Sequence, residues 1–204
     1  MTYCTVADLL AYVRTDLAVD EPEAAVACDV ATSDINTWCQ RTFVVPTAAT
    51  TRTFVAPKSS DLLLVHDIAD TTDLVIVHNG STLTASQYQL EVFPGVTSQT
   101  SASGLVRPYT WVRLLGGVWS HNNGAAAASI IARWGWPVAA PPQVPLAAKM
   151  LGRDMLNGRD TRFGVASFGP DGYTRRITSN GQVVALLERL RSPWAGGEIG
   201  RAHV

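Results

Sequence analysis

The chain has 204 residues, 47% hydrophobic and 16% charged, with a formal net charge of −1 at pH 7. That length can bury a real core near the upper end of what one domain holds. The six Trp exclude a disordered polymer, and near-neutrality excludes a strongly basic grip on nucleic acid. No apolar run reaches the ~18 residues of a membrane span, and no basic stretch followed by an apolar one opens the chain, so synthesis in a cytosol is expected.

In chain order, Thr5 precedes the apolar run 6–13 and Asp8 stands three residues after it. This is a capping box with Asp in place of Glu, and it predicts a short first helix. Asp20-Glu21-Pro22-Glu23 then supplies an N-cap, acidic first-turn residues and a tolerated proline, opening a second helix that runs to Gln40. Ala24, Cys28, Ala31, Ile35 and Trp38 recur at spacings of four and three and form its buried seam; Asp29, Ser33, Asn36 and Gln40 lie opposite. The cysteines Cys4, Cys28 and Cys39 show no paired framework. Cys28 and Cys39 lie roughly 16 Å apart along that helix, too far for a disulfide, so reduced, buried thiols are expected.

Beyond Arg41 the period shortens. Residues 51–55, 62–65, 74–77, 88–93 and 111–115 are β-prone runs separated by turn residues, and Asn79-Gly80, which suits the two positive-φ positions of a type I′ turn, predicts a hairpin from Val75 to Leu83. Ile130, Ile131 and Trp134 suit a last strand that Gly135 and Pro137 end. A mainly antiparallel sheet of about five or six strands follows. The Ser-, Thr- and Gly-rich stretch from Pro94 to Thr110 reads as a loop that is mobile or has a binding task, and 119–128 is a second weak stretch.

From Gln143, Val144, Ala147, Ala148, Leu151 and Met155 share one stripe of a helix, with Lys149, Arg153 and Asn157 off it. Gly158 offers a left-handed C-cap, with Arg153 and Arg159 near the negative end of the dipole. Asn180 or Ser179 caps a last helix carrying Val183, Val184, Leu187 and Leu190, which Ser192-Pro193 ends.

Catalytic patterns are missing. His66, His78, His121 and His203 have no second ligand at metal spacing, and no Cys-x-x-Cys is found. Ser167 lacks the Gly-x-Ser-x-Gly of a nucleophile elbow, and no Gly-x-x-x-x-Gly-Lys cradles a phosphate. Asp67 and Asp70 read as turn acids. The sequence therefore points away from an enzyme, a metal or a cofactor. Trp134 and Trp136 with Phe163 and Phe168, beside Arg133, Arg153, Arg159 and Arg162, suit either base stacking or an aromatic core with an Arg-rich face, and the core reading is preferred. Charge is uneven along the chain: residues 1–80 hold eleven Asp/Glu against four Lys/Arg and 81–204 hold six against twelve, which suits head-to-tail contact between copies or neutralisation within one.

A helical pair, a β-rich middle ending in Trp134-Gly135-Trp136-Pro137, an apolar helix, the segment Arg162-Phe163-Gly164-Val165-Ala166-Ser167-Phe168-Gly169 and a Leu-rich last helix together resemble the head-to-tail connector (adaptor) proteins of tailed bacteriophages. The resemblance covers roughly residues 3 to 191. It implies an α+β fold in which N- and C-terminal helices frame an inserted, mainly antiparallel sheet. The corresponding division is a single connector domain over 1–191, with a helical pair at 1–41, a β-rich insertion at 50–136, C-terminal helices and an arm at 141–191, and a flexible tail at 192–204. The family's subunits close into a ring, typically twelve-fold, between the portal and a stopper or tail-completion protein in the virion neck, and DNA passes through the lumen without sequence-specific binding. Arg and aromatic side chains are enriched at protein interfaces, so Arg162, Phe163 and Phe168 are the expected contact with the next subunit, and Arg175, Arg176 and Trp194 the expected portal anchors. The alternatives are another neck, stopper or tail-completion protein of the same virion, more distantly a DNA-binding module and, last because nucleophile and metal constellations are missing, an unrecognised hydrolase.

Overall fold

The computed structural model describes residues 2–13, 21–121, 126, 128–159 and 180–193. The chain divides into two compact units, one formed by residues 1–43 with 140–204 and the other by 44–139. It is an α+β protein with helices at both ends and antiparallel sheets between them.

The first unit is helical. Helix α1 (Val6–Val13) begins where expected, and its cap is reciprocal: the Asp8 N–H donates to Thr5 Oγ1 at 3.1 Å and the Thr5 N–H donates to Asp8 Oδ2 at 3.1 Å. Helix α2 (Glu21–Cys39) buries Ala24, Ala27, Cys28, Ala31 and Ile35. At its end Cys39 replaces Trp38 in the seam; Trp38 is half-buried, with the Arg191 guanidinium 4.8 Å above its ring. Helix α3 (Gln143–Arg159) packs chiefly on α2 through Val144, Ala147, Ala148 and Leu151, all buried. Small residues on both seams let the two backbones approach closely. Gly152 does the same toward α1, since a Cβ there would sit 3.0 Å from Leu9 Cδ2. The helix passes through Gly158 to Arg159, so Gly158 is not the C-cap the sequence suggests. Helix α4 (Gly181–Leu187) starts at Asn180, whose Oδ1 accepts from the Val183 N–H at 3.2 Å, and a 3₁₀ turn (Glu188–Leu190) follows. The chain stays packed through Ser192, whose N–H donates to Cys39 O at 2.8 Å.

The second unit corrects the expected single sheet of five or six strands. Among the described residues, seven strands form two antiparallel sheets: β1 (Thr50–Phe54), β7 (Ala128–Ala132), β3 (Val75–His78) and β4 (Ser81–Thr82) in the order β1-β7-β3-β4, and β2 (Leu62–Ile68), β6 (Tyr109–Leu114) and β5 (Tyr88–Glu91) in the order β2-β6-β5. Consecutive strands β1 and β2 enter different sheets, while β1 pairs with the distant β7, Thr50 opposite Ala132. Inward residues of both sheets, among them Phe54, Ile76 and Ile130 from one and Leu63, Val65 and Val112 from the other, fill a common core with Trp119. Burying each large aliphatic side chain contributes about 1.5–3 kcal/mol. The Asn79-Gly80 hairpin forms as expected, with φ of 49° and 77° at its two central residues.

Between β5 and β6 the Ser/Thr-rich stretch is tied down by hydrogen bonds. Gln99 Nε2 donates to Ala69 O at 2.8 Å, the Arg107 N–H donates to Gln99 O at 2.9 Å, and Thr100 bridges to Val106. After β7, Gly135 lies against Val44: a Cβ would fall 2.4 Å from the Val44 carbonyl oxygen, which also accepts from the Trp136 N–H at 2.9 Å. Only glycine permits that approach.

Candidate interaction surfaces

Among the described residues no group of three or more His, Cys, Asp or Glu could hold a metal ion, and no helix is long and apolar enough to cross a membrane. The three described histidines have separate packing roles. His78 Nε2 accepts from the Ser120 N–H at 3.0 Å while its ring meets Trp119 edge-on, and burial holds its pKa below the usual imidazole value. His121 Nδ1 lies 2.9 Å from Ala56 O. His66 packs against Phe54 and Trp134, and burial followed by the nearby Arg52 charge lowers its pKa, favouring the neutral ring.

Among the described residues, a charged constellation lies on the outer face of the three-stranded sheet. Thr110, Val112 and Leu114 of β6 point into the core, which turns Arg113 outward beside its cross-strand partner Gln89 and the neighbouring Glu91. Glu91 is nevertheless fully buried. Its Oε1 accepts from Arg113 Nε at 2.7 Å and Gln89 Nε2 at 2.9 Å, and its Oε2 accepts from the Gly95 N–H at 2.7 Å. Arg113 also bonds Asp61. Burial alone would raise the Glu91 pKa, but the hydrogen bonds from Arg113, Gly95 and Gln89 with the Arg113 charge together hold it below its ordinary value. Both Glu91 oxygens accept from donors, so this network ties the β5–β6 connection to β6. Its sequence signal, Gln and Glu alternating with apolar residues in β5, gives no local sign of burial; the Arg113 partner comes from the next strand.

Three exposed features remain. Arg52 stacks over the half-buried Trp134 at 4.7 Å, with Phe54 and His66 packed beside that ring. Trp136 is fully buried and Arg133 pairs with Asp73 at 3.0 Å, so the residues around Trp134-Gly135-Trp136 separate into a core tryptophan and a surface one. Apolar side chains project from two connections: Phe93, 46% exposed, from β5–β6, and Leu115 and Val118, 48% and 53% exposed, from β6–β7. On the helical unit, Val6, Ala7 and Leu10 of α1 and Pro22 and Ala25 of α2 line an open apolar depression of about 520 Å³ beside Glu21. All three are exposed apolar or aromatic features of the described residues.

The expected interface residues Arg162, Phe163, Phe168, Arg175, Arg176 and Trp194 lie outside the described residues. The uneven charge, in contrast, can be reassessed. Counted over the two units, twelve Asp/Glu meet eleven Lys/Arg in 1–43 with 140–204, and five meet five in 44–139. The acidic N-terminal and basic C-terminal stretches belong to one unit, so the −7/+6 division between halves nearly vanishes in that unit's total.

Helices at both ends of a chain whose middle folds into two small antiparallel sheets can be compared with known folds. The fold matches that of a neck protein from a gene transfer agent particle. The matching chain comes from the neck of an empty GTA particle computed with C6 symmetry, with a TM-score of 0.55 and 14% identity, over 93% of this chain and 90% of that one. A chain from the neck of a native GTA particle computed with C12 symmetry has a TM-score of 0.45 and 16% identity, over 90% of this chain and 87% of that one. No protein-family model matches the sequence, and no curated protein matches it.

Proposed function

We propose that the chain is a structural subunit of the neck of a tailed-phage-like particle, where copies close into a ring between the portal and the next tail-side protein and leave a channel for DNA. The observation that carries this reading is the near full-length agreement with the empty-particle neck chain, helical ends and two-sheet middle together. A ring demands a heterologous interface, in which one face of each subunit meets a different face of the next. The apolar projections Phe93, Leu115 and Val118 and the Arg52–Trp134 stack are surfaces of the kind such contacts use. The C6 symmetry of the related particle points to a copy number that is a multiple of six, and the connector resemblance to twelve. The catalytic patterns absent from the sequence and the fully bonded Glu91 network fit a mechanical role. A net charge of −1 fits a wall past which DNA slides, because each phosphate neutralised by Lys or Arg would add salt-sensitive affinity.

Within that reading, Arg162, Phe163 and Phe168 contact the neighbouring subunit, and Arg175, Arg176 and Trp194 anchor the ring on the portal. Because the Ser192 N–H is bonded to Cys39 O, a truncation that tests the tail should begin after Pro193. The test is capture of the portal protein encoded in the same genome by full-length chain, by chain lacking residues 194–204, and by the Arg175→Ala/Arg176→Ala double variant. Full-length chain should assemble on the portal, and both altered forms should dock at least about ten-fold more weakly. Absence of docking by the full-length chain, together with salt-dependent retention on DNA, would favour the DNA-binding alternative instead.

A further inference from the structure

We propose that Cys4 and Cys28 are an oxidisable dithiol that closes to an intramolecular disulfide, stapling the N-terminal segment to α2. The two Sγ atoms are in direct contact at 3.1 Å, with both residues buried. A disulfide bond is about 2.05 Å long, so closure asks the sulfurs to approach by roughly 1 Å. The structure also holds Cys4 in place from both sides. Before it, the Tyr3 N–H donates to Thr32 Oγ1 at 3.0 Å and the Tyr3 hydroxyl reaches Asn36, so the segment lies along the row Cys28, Thr32, Asn36, at four-residue spacing on one face of α2. After it, Thr5 caps α1. Cys39 lies on the same helix but roughly 16 Å farther along it, out of reach of Cys28.

Closure is a thiol–disulfide exchange with a small-molecule disulfide, RSSR, as the oxidant. One protein thiolate attacks a sulfur of RSSR, forming a mixed disulfide and expelling RS⁻. The second protein thiolate then attacks the protein-bound sulfur of that adduct, forming the Cys4–Cys28 bond and expelling the second RS⁻. The two protons from the protein thiols end on the two leaving thiolates, so one RSSR is reduced to two RSH as the dithiol loses two hydrogens. Burial, with the hydrogen bond and charge of Cys28 adding to it, pushes the Cys4 thiol up to about 12, so thiolate is scarce in the closed fold and reaction is slow. The pair stays reduced in a cytosol and closes where small-molecule disulfides prevail.

The test uses the full-length chain, incubated with oxidised glutathione or with dithiothreitol, then denatured in N-ethylmaleimide and analysed by intact mass and peptide mapping. The expected oxidised product has one alkylated cysteine, Cys39, a Cys4–Cys28 linked peptide, and a mass about 2 Da below the reduced chain before alkylation. Cys39→Ala should keep the link, and Cys28→Ala should lose it. If Cys28→Ala does not fold, Cys4→Ala makes the same test. Three alkylated cysteines after oxidation, a stable glutathione adduct, a link that includes Cys39, or a disulfide between two chains would overturn the proposal.

Discussion

Tyr3 carries the clearest stability prediction. Its hydroxyl reaches Asn36 Oδ1 and accepts from the Phe43 N–H at 2.8 Å, while its ring meets Phe43 edge-on at 5.9 Å, so Tyr3→Phe deletes two hydrogen bonds and leaves the ring packing in place. At about 1 kcal/mol net for each bond, the variant should lose about 2 kcal/mol. With a urea m-value of about 1.5 kcal/mol/M, the helical unit's midpoint falls by roughly 1.3 M at neutral pH. The change should also alter alkaline behaviour. Burial, ahead of all other causes, pushes the Tyr3 phenol from 10.0 up to about 12. A group whose folded pKa is raised contributes stability that is complete below its unfolded value and is lost as pH rises through the folded one. Tyr3 therefore costs the wild type stability between pH 10 and about 12, after Cys4 and Cys39, both pushed by burial from 9.0 to about 12, begin to do so near pH 9. Urea titrations at pH 7 and across the alkaline range, with tyrosinate absorbance recorded in parallel, measure both effects. An unchanged midpoint at pH 7, or an alkaline slope identical in the two proteins, would refute the reasoning.

Glu91→Gln should destabilise the β unit by about 2 kcal/mol, because an amide cannot accept from Arg113, Gln89 and Gly95 without turning a donor toward one of them. Since the wild-type Glu91 pKa is depressed, its stabilisation is present above about the ordinary 4.5 and is lost as pH falls through the folded value. Acid denaturation curves of the two proteins should accordingly converge at low pH. Gly135→Ala should cost at least about 2 kcal/mol, by driving a Cβ against the Val44 carbonyl; a midpoint within error of wild type would remove the close approach from the account. Asn180→Ala should lose about 1 kcal/mol by exposing the Val183 N–H of α4, and Asn180→Asp should not be neutral in chemical denaturation either, because Asn180 Nδ2 donates to Asp154 Oδ2 at 2.8 Å and an aspartate would set two carboxylates together.

Legibility in the sequence followed the range of the interactions. The caps at Thr5–Asp8 and Asn180, the seam of α2 and the Asn79-Gly80 hairpin depend on residues within a few positions of one another, and local pattern located them. The β1–β7 pairing joins Thr50 to Ala132, and nothing local in either strand records its partner, so two sheets were expected as one. The β-prone run 88–93 carries no local sign that Glu91 is buried, because its Arg113 partner comes from the next strand. The Cys4–Cys28 contact was missed for a similar reason: spacing along one helix tests Cys28 against Cys39, whereas Cys4 arrives from a separate segment laid on α2. The charge division between halves left contact between copies and neutralisation within one chain open, and a linear count could not show that the two ends of the chain belong to one unit. Trp136 was correctly read as core, and Trp134 takes a surface position that pattern alone could not separate from it.

The most direct test of the neck assignment is electron-microscopic reconstruction of purified particles that carry this chain with a small tag. The account predicts density for the tagged chain in a closed ring, with a copy number that is a multiple of six, at the junction of head and tail. Tagged particles whose junction lacks the chain, or in which it lies only on the capsid shell or the distal tail, would contradict it.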